Sequence, residues 1–136
     1  MKEVVLDASV VIKWWRAGGE GHVEEARSLR AAFEAGELAV VAPRLLFLEI
    51  LNVFGRRWRW AEPDLLALAE ALGSLGIEFE DPELTSVAGW TARGLTAYDA
   101  SYVALAEGRG IDLVTDDAAI LEAVPNVARL LADQRG

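Results

Sequence analysis

Short, uniformly apolar runs recur along this chain, and each is followed by a longer stretch with helical spacing. Glu3 to Leu6 (EVVL), Leu38 to Ala42 (LAVVA), Ile77 to Glu80, Asp112 to Thr115 and Val127 to Leu130 read as strands. The intervening segments read as helices: Ser9 to Ala17, His22 to Ala35 (ending near Gly36), Arg44 to Trp60, Pro63 to Leu75, Glu83 to Arg93, Thr96 to Glu107 and Ala118 to Ala123. Pro63 suits a first helical turn, Pro43 stops the second strand, and Gly94 separates two helices. Strands that are apolar on both faces and alternate with helices predict a three-layer α/β/α fold around a central, mostly parallel sheet. In such folds ligands bind beyond the carboxyl ends of the strands. Chemistry is therefore sought there.

Composition narrows what that chemistry can be. The 136 residues contain no cysteine and one histidine, which excludes thiolate nucleophiles, disulfides, Cys-ligated zinc and any site built on two imidazoles. The length suits a single domain over residues 1–136, burying roughly 70% of its unfolded surface. The only markedly loop-like stretch, Gly18-Gly19-Glu20-Gly21, is too short to divide domains. Asp7 interrupts the apolar N-terminus, which lacks a basic region with a cleavage site, and no apolar run reaches the ~18–20 residues of a membrane span. A cytoplasmic protein is expected. The 22 acidic against 13 basic groups give a net charge of −9, which argues against electrostatic adhesion to nucleic acid. Unless the acids gather around a cation, they serve only solubility.

Five carboxylates are candidates for such a cation site. Asp7 follows the first strand directly (VVLDAS), and Asp116 and Asp117 follow a later one (DLVTDD). Each also has a purely structural reading as a helix N-cap. Asp99 falls at the third position of a capping-box-like Thr96-Ala97-Tyr98-Asp99. Glu49 lies in LLFLEILNVF, a helix apolar on nearly every face, with Asn52 rather than a basic residue nearby on its own face. A carboxylate in a buried helix needs a proton, a counter-charge such as an arginine from elsewhere, or a metal. Converging acids repel, a hard cation relieves that repulsion, and all-oxygen ligands select Mg²⁺ or Mn²⁺. One or two such ions support phosphodiester hydrolysis.

The residues so gathered resemble the PIN-domain nucleases, specifically the VapC-type toxins of bacterial and archaeal toxin–antitoxin pairs. The resemblance runs through Val5-Leu6-Asp7-Ala8-Ser9-Val10 with Lys13-Trp14, then Ala42-Pro43 and Glu49-Ile50-Leu51-Asn52-Val53. It continues through Tyr98-Asp99-Ala100-Ser101-Tyr102-Val103-Ala104-Leu105-Ala106 and Leu113-Val114-Thr115-Asp116-Asp117, in the family's order over nearly the whole chain. It implies a Mg²⁺- or Mn²⁺-dependent endoribonuclease, a homodimer, and a cognate antitoxin. It further implies Asp7, Glu49, Asp99 and Asp117 as the metal-binding and catalytic acids. Asp117 is chosen by a Thr-x-Asp pattern in which Asp116 fills the variable position and shares or exchanges the role. Ser9, Thr115 and Asn52 match supporting polar positions.

Arg56-Arg57-Trp58-Arg59-Trp60 is the one basic cluster interleaved with aromatics. Arg56, Arg57 and Arg59 are candidate RNA contacts, or else cations complementing a helix C-terminus, while the tryptophans cover core edges. Of the adjacent Trp14 and Trp15, at most one points fully inward. Lys13 faces the acidic pocket or solvates its helix, and His22 reads as a surface residue. A haloacid-dehalogenase-like phosphatase needs a second acid where Ser9 stands and is disfavoured. A catalytically silent PIN-like binding module and a housekeeping RNA-processing nuclease are the remaining alternatives.

Overall fold

A computed structural model describes residues 1–15 and 21–134. Five strands form one sheet in the order β3-β2-β1-β4-β5: β1 Lys2–Leu6, β2 Leu38–Ala42, β3 Glu78–Phe79, β4 Asp112–Thr115 and β5 Ala128–Leu130. Every pairing is parallel, with Val5 opposite both Val41 and Leu113. The central strand β1 carries Val4, Val5 and Leu6 in full burial, as expected of a strand covered on both faces.

The helices are α1 Ala8–Val11, α2 Val23–Glu34, α3 Leu45–Asn52, α4 Glu62–Gly73, α5 Leu84–Ala92, α6 Ala97–Arg109 and α7 Ala118–Ala123. From β1 the chain steps outward to β2 and β3, then returns across the sheet to β4 and β5. Right-handed crossovers therefore set α1–α4 on one face and α5–α7 on the other. The direction reverses between β1 and β4, so the crevice of this fold opens at their carboxyl ends. Asp7 ends β1, and Asp116 and Asp117 follow β4.

Most strands and helices fall within a residue or two of their expected places, with three departures. The helix anticipated over Arg44–Trp60 ends as an α-helix at Asn52, continues as a π-turn over Val53–Arg57, and stops before Arg59, which adopts a left-handed φ of 54°. Phe54 causes the stop. It is fully buried, Trp58 and Trp60 pack on its ring at 4.9 and 4.4 Å, and its carbonyl accepts the Trp60 N–H. At Gly55 a Cβ would lie 3.2 Å from Leu65 Cδ1, so glycine lets the turn approach α4.

The second departure is the burial of α3. Only Leu46 and Ile50 are buried; Leu48 is 70% exposed and Glu49 half-buried, because one face alone meets the core. Third, the helix placed over Ser9–Ala17 is one α-turn followed by a 3₁₀ turn, Ile12–Trp14. Arg16 and Ala17, like Gly18, Gly19 and Glu20, lie outside the described residues. No helix among the described residues is long and apolar enough to cross a membrane.

Candidate active site

Asp7 occupies the N-cap position of α1 with extended backbone, yet its side chain caps nothing. Its two oxygens are instead claimed by hydroxyls: Oδ1 accepts from Ser9 Oγ and Oδ2 from Thr115 Oγ1, each at 2.5 Å. Those hydroxyls are fixed in turn, because Ser9 Oγ accepts the Asp116 N–H and Thr115 Oγ1 the Asp117 N–H, each at 3.0 Å. The turn after β4 is thus stitched to the end of β1 through one carboxylate. Burial pushes the Asp7 carboxyl up to about 7; the Ser9 and Thr115 bonds oppose the rise, and the charges of Asp99 and Asp117 add to it.

The other acids arrive from three helices. Thr96 caps α6 by accepting the Asp99 N–H at 3.0 Å, which sets Asp99 in the first turn. Burial, then the Asp117 charge, raises the Asp99 carboxyl, while a separate hydrogen-bonding interaction of that carboxyl with the Thr96 side chain opposes the rise. Asp117 caps α7, accepting the Ala119 N–H at 2.8 Å, so its capping role is real and leaves Oδ2 outside that bond. Glu49 is raised by burial and by Asp99 but lowered by a hydrogen bond from Tyr102, whose hydroxyl donates to Oε1 at 2.5 Å. Asp7 and Glu49 each feel Asp99, and Asp99 feels Asp117. Asp99 is the hub of this mutual repulsion.

Asp116 plays a different part. Its carboxylate pairs with the buried Lys13 ammonium at 3.2 Å, so Lys13 does turn toward the acids. Ser9 and Thr115 sit at the centre of the network, whereas Asn52 is exposed at the end of α3. Arg56, Arg57 and Arg59 are exposed on the π-turn and just after it, roughly 10–15 Å of helix beyond Glu49. Trp58 and Trp60 cover Phe54, as a core-edge role requires. Trp14 is buried and donates to the Ala26 carbonyl at 2.9 Å, while Trp15 is half-buried. His22 is exposed beside Glu25. The side chain that sequence reasoning passed over is Tyr102. It lies three residues after Asp99 on α6, the spacing that puts two side chains on one helix face, so the signal was present.

Among the described residues no three carboxylates or imidazoles are drawn together tightly enough to cage an ion by themselves. The donors nonetheless suit a hard divalent cation: all are oxygen, the innermost carboxylate is oriented by two hydroxyls, and its neighbours are like-charged.

The sequence matches the PIN-domain family model over residues 4–126. The chain belongs to the PIN-domain family. No curated protein shows significant sequence similarity to this PIN domain. Among solved structures it is similar to PAE2754 from Pyrobaculum aerophilum, with 28% identity, a TM-score of 0.68, and coverage of 96% of this chain and 90% of that one. It is also similar to VapC20 of Mycobacterium tuberculosis, described as a sarcin–ricin loop cleaving toxin, with 17% identity, a TM-score of 0.65 and coverage of 88% and 94%. FitAcB from Neisseria gonorrhoeae follows at 15% identity, a TM-score of 0.60 and coverage of 92% and 95%. At those identities the last two speak for the fold.

Proposed function

We propose that this PIN domain is a Mg²⁺- or Mn²⁺-dependent endoribonuclease, the toxin of a toxin–antitoxin pair, with Asp7, Glu49, Asp99 and Asp117 as its metal-binding acids. The supporting observation is the buried Asp7 carboxylate, held on both oxygens by hydroxyls and pressed by Asp99 and Asp117. A carboxylate so placed is costly as an anion unless a cation joins it. Membership of the PIN family supports a nuclease, and the fold shared with a toxin described as cleaving the sarcin–ricin loop is in keeping with RNA as substrate. The homodimer and the antitoxin rest on the family resemblance, and the cytoplasmic location on a cysteine-free composition that suits a reducing compartment.

In this reading Ser9 and Thr115 orient Asp7, and Asp117 both caps α7 and offers its second oxygen. Asp116 stays with Lys13 as a structural counter-ion. A divalent ion bound by the acids supplies phosphate neutralisation and a water of lowered pKa. Arg56, Arg57 and Arg59, all exposed, contact the RNA backbone in this reading.

RNA cleavage by the purified chain tests the proposal. Activity is expected with Mg²⁺ or Mn²⁺ and none in EDTA, and Asp7→Asn or Asp99→Asn should lower it by ~100-fold or more with the melting transition retained. Full cleavage in EDTA or in either variant would falsify the metal mechanism. Growth arrest on expression, relieved by a neighbouring small reading frame, separates a toxin from a housekeeping nuclease.

A further inference from the structure

We infer that Tyr102 is a positioning residue for the acidic site: its hydroxyl holds the Glu49 carboxylate in place among the other acids. The inference rests on the metal-site reading above. Glu49 and Tyr102 are 53 residues apart in sequence and belong to helices on opposite faces of the sheet, so their bond crosses the crevice at its mouth. The Tyr102 ring is 1% exposed and locked in the core, whereas Glu49 stands on the half-exposed α3. A long acidic side chain there has several rotamers to choose from, and a hydrogen bond to an immobile donor selects one. It is the one side-chain hydrogen bond that Glu49 makes among the described residues, and it uses Oε1, which leaves Oε2 open.

The location of the hydroxyl also matters. Besides Glu49, it feels the charges of Asp7 and Asp99, so one neutral phenol stands among three of the four acids. As a donor it favours the ionised, ligating form of Glu49 while adding no positive charge that would compete with a cation. Arginine would neutralise the site; phenylalanine would fill the space and leave Glu49 loose. Partners behind the ligating groups are what metal affinity is most sensitive to after the ligands themselves.

The test is Mn²⁺ titration of the full chain by calorimetry, without RNA. Glu49→Gln is expected to weaken Mn²⁺ binding, Tyr102→Phe to weaken it by about 10-fold, and the double variant to be no weaker than Glu49→Gln alone. Mn²⁺ binding to Glu49→Gln at wild-type strength would overturn the metal-site reading itself. Weak binding to Glu49→Gln with wild-type binding to Tyr102→Phe would overturn only the role of Tyr102, as would an equal Tyr102→Phe effect in both backgrounds. A second measurement needs no Tyr102 variant. The chain has two tyrosines, one exposed (Tyr98) and one buried, so the Tyr102 ring resonances are separable. Addition of Mg²⁺ should shift them in the wild type and leave them in place in Glu49→Gln. Unmoved Tyr102 resonances in a wild-type chain that binds Mg²⁺ would count against the inference.

Discussion

The two ends of α6 gather acids in opposite ways. At its C-terminus Arg109 reaches Glu3, Glu78 and Glu80 at 2.8, 2.7 and 2.6 Å, so carboxylates from β1, from β3 and from the residue just after β3 share one guanidinium. The placement is favourable in itself, because a cation complements the negative end of the helix. About 15 Å away along the helix, near the N-terminus, Asp99 neighbours Asp7, Glu49 and Asp117, whose carboxylates accept from hydroxyls and, at Asp117, from a backbone N–H. The exposed cluster carries its own cation. In the proposed reading the other, built around the buried Asp7 with Glu49, Asp99 and Asp117 half-buried beside it, leaves that place to a metal ion, and hydroxyls orient Asp7 and Glu49 without cancelling their charge. Fold stability and site chemistry are thus divided between the ends of one helix.

The contrast is broken most sharply by pH. Asp7 rises from an ordinary 3.8 to about 7 on folding, so between those values the folded chain holds a proton that the unfolded chain has released. Stability of the metal-free protein must therefore fall as pH rises from about 4 to about 8, by up to ~4 kcal/mol, and then level off. Glu49 and Asp99 are shifted in the same direction and add to the slope. Chemical denaturation in EDTA at pH 5 and pH 8 measures it. Asp7→Asn should flatten much of the slope and stabilise the metal-free chain at pH 8, whereas Mg²⁺ should stabilise the wild type there. A wild-type profile that climbs with pH would remove the basis for the contrast.

A smaller effect is expected at the boundary between the two kinds of acid. Lys13→Met strands Asp116, whose side chain is 23% exposed, and should cost about 2 kcal/mol in a urea melt. Lys13→Met combined with Asp116→Asn should recover most of that loss and retain RNA cleavage. Loss of cleavage in the double variant would place Asp116 among the ligands and exchange its role with Asp117.

The smallest change belongs to the cluster with the most ion pairs. The carboxylates around Arg109 are 39–55% exposed, so solvent and salt screen them. Arg109→Ala should cost about 1 kcal/mol in low salt and less in 0.5 M NaCl, with cleavage unchanged. An effect larger than that of Lys13→Met would reverse the ranking of the two ends.

Much of this was legible in the linear chain. The central strands β1, β2 and β4 are largely apolar on both faces, which implies parallel pairing under two helical layers, and an acid directly after such a strand emerges at the crevice. Asp7 and the Asp116–Asp117 pair were located by that rule, the choice of Asp117 came from the family resemblance, and the burial of one tryptophan of the Trp14–Trp15 pair from helix geometry. Other features depended on residues far away in sequence. The apolar face of α3 looked deeply buried, yet among the described residues Leu48 is left 70% exposed. The α-helix gave way at Phe54 because that ring seats two tryptophans.

What the sequence determined by itself is the chemistry on offer: oxygen ligands, no thiol, hardly an imidazole, and short apolar strands that place acids at one edge of a sheet. Side-chain type and strand periodicity are local properties, and they survive in the unfolded chain. Only the tertiary structure decided which acid does what. Asp7 gives up capping for two hydroxyls, Asp116 turns to Lys13, Asp117 caps a helix, and Glu49 meets a phenol from the other face of the sheet. The Asp117 cap is local; the other choices depend on partners that packing brings within about 3 Å, Thr115 for Asp7, Lys13 for Asp116 and Tyr102 for Glu49.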